Sequence, residues 1–314
     1  MRVVSLLASA TEIIAELDCL DQLVGRSHEC DYPTQVRQLP LVSHAVIDTQ
    51  TSSEQIDAQV KQHAQARNNN ALNALSIYTI DTYQLQLLQP DIIFTQTQCE
   101  VCAVSEQDVA IALEQTIGLS PRIVSLAPYR LQDVWEDVFR VGRALEKLPQ
   151  AQELVQRYQQ RLQQLQEQTT VLAIQQNKPR VLILEWLDPL MGAGNWTPEL
   201  ITYAGGENIY GENGERSPWL TWEQLAELNP DFLLLAPCGF SLERTLQDIP
   251  ILTKHPHWSA LKAVRNGHVY AIDGNYYLNR SGPRLVESAE IIAHILWGER
   301  LSITTTGWQP IVTS

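Results

Sequence analysis

Thiol and imidazole groups follow several strand-like segments, and their types and spacing could bind a metal ion. Cys99 and Cys102 form a C-x-x-C pair, a spacing that lets two thiolates reach one ion. His28 and Cys30 follow another strand-like run, and Cys238 follows a third. Thiolate-rich sites suit zinc, copper(I) or iron–sulfur clusters. The spacing therefore predicts one metal site that includes all of these side chains.

Two other interpretations of these cysteines remain open. The thiols could contact a bound ligand without holding a metal, or they could be buried structural groups or a redox pair. Cys19, the remaining cysteine, lies near the end of the first helix-like segment and is interpreted as structural. An odd number of cysteines argues against a disulfide framework.

Aromatic and charged side chains follow the strand-like segments in the second half of the chain and could contact a flat ligand. Aromatic rings provide a large apolar contact area at a low entropy cost. Arg280 could pair with a ligand anion, or instead with Asp273 or Glu287. The full predicted set of ligand contacts is Glu29, Trp186, Trp196, Phe240, Tyr276, Tyr277 and Arg280.

Strand-like and helix-like segments alternate in both halves of the chain, and this alternation must position the side chains named above. Apolar runs typical of buried strands occupy residues 91–95, 122–126, 180–185, 231–235 and 269–272. Strands separated by helices predict parallel βα units. In open α/β sheets, ligands bind beyond the carboxyl ends of the strands. The metal-binding and aromatic candidates therefore lie where a ligand is expected.

A nearly glycine-free run joins the two halves. Val134, Val138 and Val141 recur at helical spacing, and the pattern resumes after Pro149. We interpret the run as one long rigid helix with a kink at the proline, the alternative being two ordinary surface helices.

The predicted fold class is α/β, with two Rossmann-like lobes that contain parallel sheets, one long rigid helix that joins them, and a ligand cleft between the lobes. The predicted boundaries are residues 1–129 for the first lobe, 130–176 for the helix, 177–298 for the second lobe and 299–314 for a tail.

Length, charge and motif content limit the function classes. The 314 residues suit two domains. The formal net charge of −14 argues against nucleic-acid binding. No apolar run approaches the ~18 residues needed for membrane insertion, and the N-terminal segment resembles a strand more than a signal peptide, which predicts a cytoplasmic location. No catalytic motif or catalytic residue is found, so we expect no enzyme.

Several short segments, in this order, resemble the helical-backbone class of periplasmic substrate-binding proteins, with the strongest likeness to its cobalamin-binding branch. The likeness covers residues 2–296. Its specific pieces are Val3-Val4-Ser5-Leu6, Ala10-Thr11-Glu12, Asp31-Tyr32-Pro33, Gln89-Pro90-Asp91, Gly205-Gly206-Glu207-Asn208-Ile209, Trp222-Glu223-Gln224-Leu225 and Pro283-Arg284.

This resemblance implies a binding protein for a corrinoid such as cobalamin, or for a related metal chelate, from a signal-less, cysteine-containing branch. It also implies that an acidic residue on each lobe docks to an ABC permease, if the protein is exported. Glu223 matches the acid of the second lobe, whereas Tyr83 stands at the first-lobe position and Asp81, close by, is the candidate acid there. Glu29 stands where the family has a tyrosine. The alternative function is a cytosolic metalloprotein whose cysteines hold zinc or an iron–sulfur cluster, with a redox or catalytic role.

Overall fold

The computed structural model describes residues 1–69, 77–97, 104, 106–114 and 118–312. The chain divides into two compact units. The first unit contains Met1–Pro128 and Gln132–Val155, and the second contains Tyr129–Leu131 and Gln156–Ser314.

A parallel sheet of order β2-β1-β5-β6 forms the centre of the first unit, and β3 pairs with β4 in a separate antiparallel ribbon. All residues of β5 are buried, as expected for a parallel strand covered on both faces. The strands are β1 (Val3–Ser5), β2 (Leu23–Arg26), β3 (Ser43–Ala45), β4 (Tyr78–Ile80), β5 (Ile92–Gln96) and β6 (Arg122–Leu126). The helices are α1 (Ala8–Glu16), α2 (Ser53–Asn69), α3 (Thr82–Leu88), α4 (Glu106–Glu114) and α5 (Leu131–Ala144).

The second unit contains a sheet of order β12-β11-β10-β7-β8, in which β7, β10 and β11 are parallel. β9 pairs with β7, and the outer strands β8 and β12 run antiparallel to their neighbours. The strands are β7 (Arg180–Leu187), β8 (Leu190–Gly192), β9 (Glu207–Asn208), β10 (Phe232–Leu235), β11 (Val269–Ile272) and β12 (Trp308–Pro310). The helices, numbered after the connecting helix α6 (Leu148–Gln176), are α7 (Thr197–Tyr203), α8 (Trp222–Leu228), α9 (Leu242–Thr253), α10 (Lys262–Arg265) and α11 (Leu285–Trp297).

The helical run between the two halves is interrupted once, which corrects the expectation of a single helix over 130–176. Helix α5 ends at Ala144, Glu146 adopts a positive φ of 60°, and α6 begins at Leu148. Pro149 lies in the first turn of α6, where its missing N–H removes no helical hydrogen bond. Proline therefore starts a helix here and does not kink one.

The predicted α/β class with parallel sheets, two lobes and a long helix is confirmed, the long helix being α6. The chain beyond residue 299 differs from the expected tail. Strand β12 pairs with β11, and Ile311 is buried in the core of the second unit. The sequence does not predict this strand, because an edge strand of three residues needs no long apolar run and the residues around it are polar.

No helix within the described ranges is both long enough and apolar enough to cross a membrane.

Candidate functional site

The parallel strands of the second unit end at one edge of its sheet, and the loops that follow them are hydrogen-bonded to one another. The N–H of Cys238, after β10, donates to the carbonyl of Glu185 in β7 over 3.0 Å. The N–H of Asn275, after β11, donates to the carbonyl of Phe240 over 2.9 Å. Residues 185–186, 237–240 and 273–280 therefore form one connected surface, which we call the carboxyl edge.

Aromatic rings from two of these loops pack together. The ring centroids of Trp186 and Phe240 are 5.2 Å apart, and the Arg244 guanidinium lies 4.5 Å from the Phe240 ring. Asp248 pairs with Arg244 over 2.8 Å. Phe240 is buried, whereas Trp186 is partly accessible. Of these two residues, which the sequence predicts as ligand contacts, Trp186 is therefore the one with accessible ring surface.

Two guanidinium groups lie beside the Tyr276 ring. The guanidinium carbon of Arg284 is 4.8 Å from the ring centroid, and that of Arg280 is 5.5 Å from it. Both arginines are buried, each with 8% of its surface exposed. Arg280 also donates to Asn275 Oδ1 over 2.9 Å. The nearby carboxyl of Asp273 has a pKa raised by burial, an effect that the positive charge of Arg280 opposes.

Trp196 and Tyr277 pack against the backbone at or near the carboxyl edge. Trp196 is buried, and its Nε1 donates to the carbonyl of Leu278 over 2.7 Å. Tyr277 packs against Gly307, where an added Cβ would lie 2.4 Å from the tyrosine ring. Burial raises the pKa of the Tyr277 hydroxyl. Trp196 therefore supports the carboxyl edge from the core, whereas Tyr276 and Tyr277 are both partly accessible.

Glu185 is a polar group of this edge that sequence analysis missed. Burial raises the pKa of its carboxyl to about 7, against hydrogen bonds from Ser217 and the Gly194 N–H. Ser217 Oγ donates to its Oε2 over 2.8 Å. Glycine is required at position 194, because an added Cβ would lie 2.6 Å from the Glu215 carbonyl oxygen. The sequence feature that could have identified Glu185 as a site residue is its position directly after the apolar run 181–184.

In the first unit, Cys30 is part of a buried polar cluster. Its Sγ lies 3.0 Å from Thr11 Oγ1 and donates to the carbonyl of Ser5 over 3.7 Å. Cys30 has no exposed surface. Glu29 is partly accessible, and its N–H donates to Ser27 Oγ over 3.2 Å. In the first unit, the Cys30 sulfur is therefore buried and contacts Thr11 and Ser5.

The five-residue metal site stays a prediction. Cys99 and Cys102 lie outside the described residues, and Cys30 and Cys238 belong to different units. Among the residues that the structure describes, no group of three or more His, Cys, Asp or Glu side chains is arranged to hold a metal ion. Cys19 is buried, with its Sγ 3.3 Å from the carbonyl oxygen of Leu17.

The two acidic residues matched to permease docking differ in their surroundings. Glu223 is exposed in the first turn of α8, where hydrogen bonds from its own backbone N–H and from Thr221 lower the pKa of its carboxyl. Asp81 is partly buried and caps α3, accepting a hydrogen bond from the N–H of Gln84 over 2.8 Å. Glu223 is therefore the more available of the two carboxylates.

Comparison with known proteins gives consistent matches. The family model for periplasmic binding proteins matches residues 3–276. A substrate-binding lipoprotein of an uncharacterised ABC transporter from Bacillus subtilis is 23% identical over 301 residues, which cover 94% of this chain and 80% of that protein.

Solved structures share the fold. A periplasmic heme-binding protein from Pseudomonas aeruginosa superposes with a TM-score of 0.73 at 19% identity, covering 99% of this chain and 98% of the other. The periplasmic vitamin B12-binding protein of Vibrio cholerae has a TM-score of 0.62 at 22% identity, covering 94% and 96%. At such identities the likeness establishes the fold alone.

The cytoplasmic location predicted from the N-terminal segment is wrong. The matching family consists of periplasmic binding proteins, and the Bacillus relative is a lipoprotein. A short apolar N-terminal run that forms the buried strand β1 does not distinguish the two compartments, because it meets the same packing requirement in either.

The matched segment covers most of the chain, from β1 to β11 and the first part of the loop after β11. Members of the matching family bind solutes and are not enzymes, in agreement with the lack of a catalytic motif. The chain therefore belongs to the periplasmic binding protein family.

Proposed function

We propose that this protein binds a planar metal chelate of the tetrapyrrole type, a corrinoid or a heme. The observation that carries the proposal is the Tyr276 ring with two buried guanidinium groups beside it at the carboxyl edge of the second unit. An aromatic face and fixed cations suit a ligand that is flat and carries anionic groups on its rim.

The chemistry of such ligands matches this surface. The partly accessible rings of Tyr276 and Trp186 offer flat apolar contact. Arg280 and Arg284 can donate paired hydrogen bonds to a carboxylate or phosphate, groups that hemes and corrinoids carry on their side arms. Relatives that are described as heme-binding or vitamin B12-binding support the same ligand class.

The proposed partner is an ABC permease. Glu223 is exposed at the start of α8, so its carboxylate is accessible to an arginine of a partner. We retain Asp81 as the second docking residue of the proposal. Its Oδ1 caps α3, so a partner would contact the other carboxylate oxygen, Oδ2.

The proposal predicts that Tyr276→Ala weakens binding of the chelate. We expect the wild-type protein to bind hemin, cyanocobalamin or both, and the substitution to raise the Kd about tenfold or more, because a central aromatic contact typically contributes at least ~1–2 kcal/mol. Titrations followed by quenching of tryptophan fluorescence and by ligand absorbance measure both affinities.

Tyr83→Ala is the matched control, because this tyrosine is 71% exposed and belongs to the first unit. Its affinity should equal that of the wild-type protein. If the wild-type protein binds neither chelate, the proposed ligand class is wrong. If Tyr276→Ala binds as tightly as the control, the carboxyl edge is not the contact surface.

A further inference from the structure

Residues 303–311, which we call the C-terminal segment, are held against the second unit at both ends. At the start of the segment, His294 Nδ1 lies 2.9 Å from the carbonyl oxygen of Ile303. At its end, the N–H of Ile311 donates to a carbonyl of β11 over 2.8 Å, and Ile311 is buried. Strand β12, just before Ile311, pairs with β11. The residues between these two anchors therefore follow a fixed path.

Two residues of the C-terminal segment contact the loop after β11, which carries Tyr276 and Tyr277. The carbonyl of Gly307 accepts a hydrogen bond from the N–H of Asp273 over 2.8 Å. Asp273 Oδ1 in turn accepts a hydrogen bond from the N–H of Tyr276 over 2.8 Å. Thr306 forms a side-chain hydrogen bond with the Tyr277 hydroxyl. The segment therefore acts on Tyr277 directly and on Tyr276 through Asp273.

Gly307 leaves the space that the Tyr277 ring occupies. Its φ of 82° lies in the left-handed region that glycine adopts without strain. An added Cβ at this position would lie 2.4 Å from Cε2 and 3.2 Å from Cδ2 of the ring. Two carbon atoms that are not bonded cannot approach so closely, so a side chain at position 307 must displace the ring. The ring can move because it is partly accessible.

The Tyr277 ring lies beside the surface that we assign to the ligand. The guanidinium carbon of Arg284 is 4.8 Å from the Tyr276 ring centroid and 5.8 Å from that of Tyr277. Both tyrosines are partly accessible. A displaced Tyr277 ring would therefore change both the flat apolar area and the surroundings of a guanidinium that we assign to an anionic group of the ligand.

We propose that Gly307 and Thr306 are positioning residues for ligand binding, because they hold the Tyr277 ring where its face contacts the chelate. This inference rests on the proposed function. A ring that is already held in place loses little freedom when the ligand binds, which increases affinity. The end of the chain thereby contributes to affinity through a residue far from it in the sequence.

The test combines Gly307→Ala and Tyr277→Ala in a double-mutant cycle. The Kd values for hemin and cyanocobalamin are measured by titration for the wild-type protein, both single variants and the double variant. For a chelate that the wild-type protein binds, we expect each single substitution to raise the Kd about tenfold. In the Tyr277→Ala background, Gly307→Ala should change the Kd less than about twofold, because the ring that it displaces is already absent.

Gly267→Ala is the matched control for backbone strain. Gly267 also has a positive φ, 70°, but no atom of the described residues lies within 4 Å of an added Cβ there. It precedes β11, whereas the loop with Tyr277 follows that strand, so it lies away from the carboxyl edge. We expect this variant to have a lower Tm but a Kd within about twofold of the wild-type value.

Thr306→Val provides a second test that leaves the backbone unstrained. Valine keeps the shape of threonine but removes the hydroxyl, and Thr306 is exposed, so the variant should fold. We expect the Kd to rise about threefold, since a net hydrogen bond is lost. Thr306→Ser keeps the hydroxyl and should retain the wild-type Kd. In a Tyr277→Phe background, the valine and serine variants should bind equally.

Equal Kd values for Gly307→Ala and Gly267→Ala would overturn this inference and leave intact the proposed function, which Tyr276→Ala tests separately. An effect of Gly307→Ala that persists in the Tyr277→Ala background would also contradict it, because Tyr277 would then not be the residue that is positioned. If Gly307→Ala does not fold, equal Kd values for Thr306→Val and Thr306→Ser overturn the inference. Failure of the wild-type protein to bind either chelate would overturn the proposed function and this inference together.

Discussion

Trp196→Ala is expected to lower the free energy of unfolding by about 3–5 kcal/mol, the usual range for truncating a buried tryptophan. Trp196 is 6% exposed, and its Nε1–H is bonded to the Leu278 carbonyl. The substitution removes the packed ring and leaves that carbonyl without its donor. Chemical denaturation followed by circular dichroism measures the loss.

The same substitution should also weaken ligand binding, because Trp196 supports a strained backbone. Leu278 adopts a positive φ of 30°, which is unfavourable for a residue with a side chain and costs about 1–3 kcal/mol. Hydrogen bonds from Trp196 to its carbonyl and from its own N–H to Ser288 Oγ hold it there. Loss of the first bond frees residues 276–280, which include Tyr276 and Arg280.

Two variants make the result specific. Trp219→Ala removes the same side chain from a position that is 54% exposed, and we expect a loss of less than about 1 kcal/mol. Trp196→Phe keeps an aromatic ring but removes the N–H, and we expect an intermediate loss of about 1–2 kcal/mol. Equal losses for Trp196→Ala and Trp219→Ala would contradict the assigned role.

Stability is expected to fall as the pH rises from about 4 to about 7, and Asp137 makes the largest identified contribution. Asp137 is 2% exposed in α5. Burial raises the pKa of its carboxyl to about 7, although the charge of Arg140 and a backbone N–H of Ala127 act to lower it. Within the described residues, its Oδ2 has no hydrogen-bond partner.

The sign follows from proton binding. Between the unfolded pKa of 3.8 and the folded pKa of about 7, the folded state binds more protons than the unfolded state, so raising the pH favours unfolding. A shift of this size corresponds to at most about 4 kcal/mol. Glu185, with its pKa raised to about 7, acts in the same direction. His28, with its pKa lowered to about 4, acts in the opposite direction between about pH 4 and its ordinary pKa.

Asp137→Asn mimics the protonated carboxyl and should flatten the dependence of the unfolding free energy on pH between about pH 4 and about pH 8. Denaturation curves at several pH values provide the measurement. Glu136→Gln is the control, because it removes one negative charge from an exposed neighbouring position of the same helix. A pH dependence in Asp137→Asn as steep as that of the wild-type protein would show that Asp137 does not titrate with a raised pKa.

Local pattern alone identified much of the architecture. The continuous apolar runs that became β5, β7 and β10 are largely buried, and such runs between helix-like segments are typical of parallel strands covered on both faces. The loops after these strands were therefore predicted to carry ligand contacts, and two of the predicted residues, Tyr276 and Arg280, lie side by side in one of them. The short segments that resemble the family identified its class, which the matching family model confirmed.

Other features depended on contacts between residues far apart in the sequence. The interruption at Glu146 requires α5 and α6 to approach closely, with Gly142 so near Ala151 that an added Cβ would lie 2.5 Å from the alanine Cβ. The predicted cytoplasmic location was wrong because it was based on the short N-terminal apolar run alone. That run forms the buried strand β1, which packs in the same way in either compartment.

The chemistry of individual groups was decided by tertiary structure. Sequence spacing put His28 and Cys30 in one set, but only the fold shows the sulfur enclosed by Thr11 and Ser5 and the imidazole bonded to Ser43. The pKa of Glu185 likewise depends on burial, which raises it, and on a hydrogen bond from Ser217, 32 positions away, which lowers it. Strand and helix patterns follow from neighbours along the chain, whereas protonation, burial and ligand orientation follow from neighbours in space.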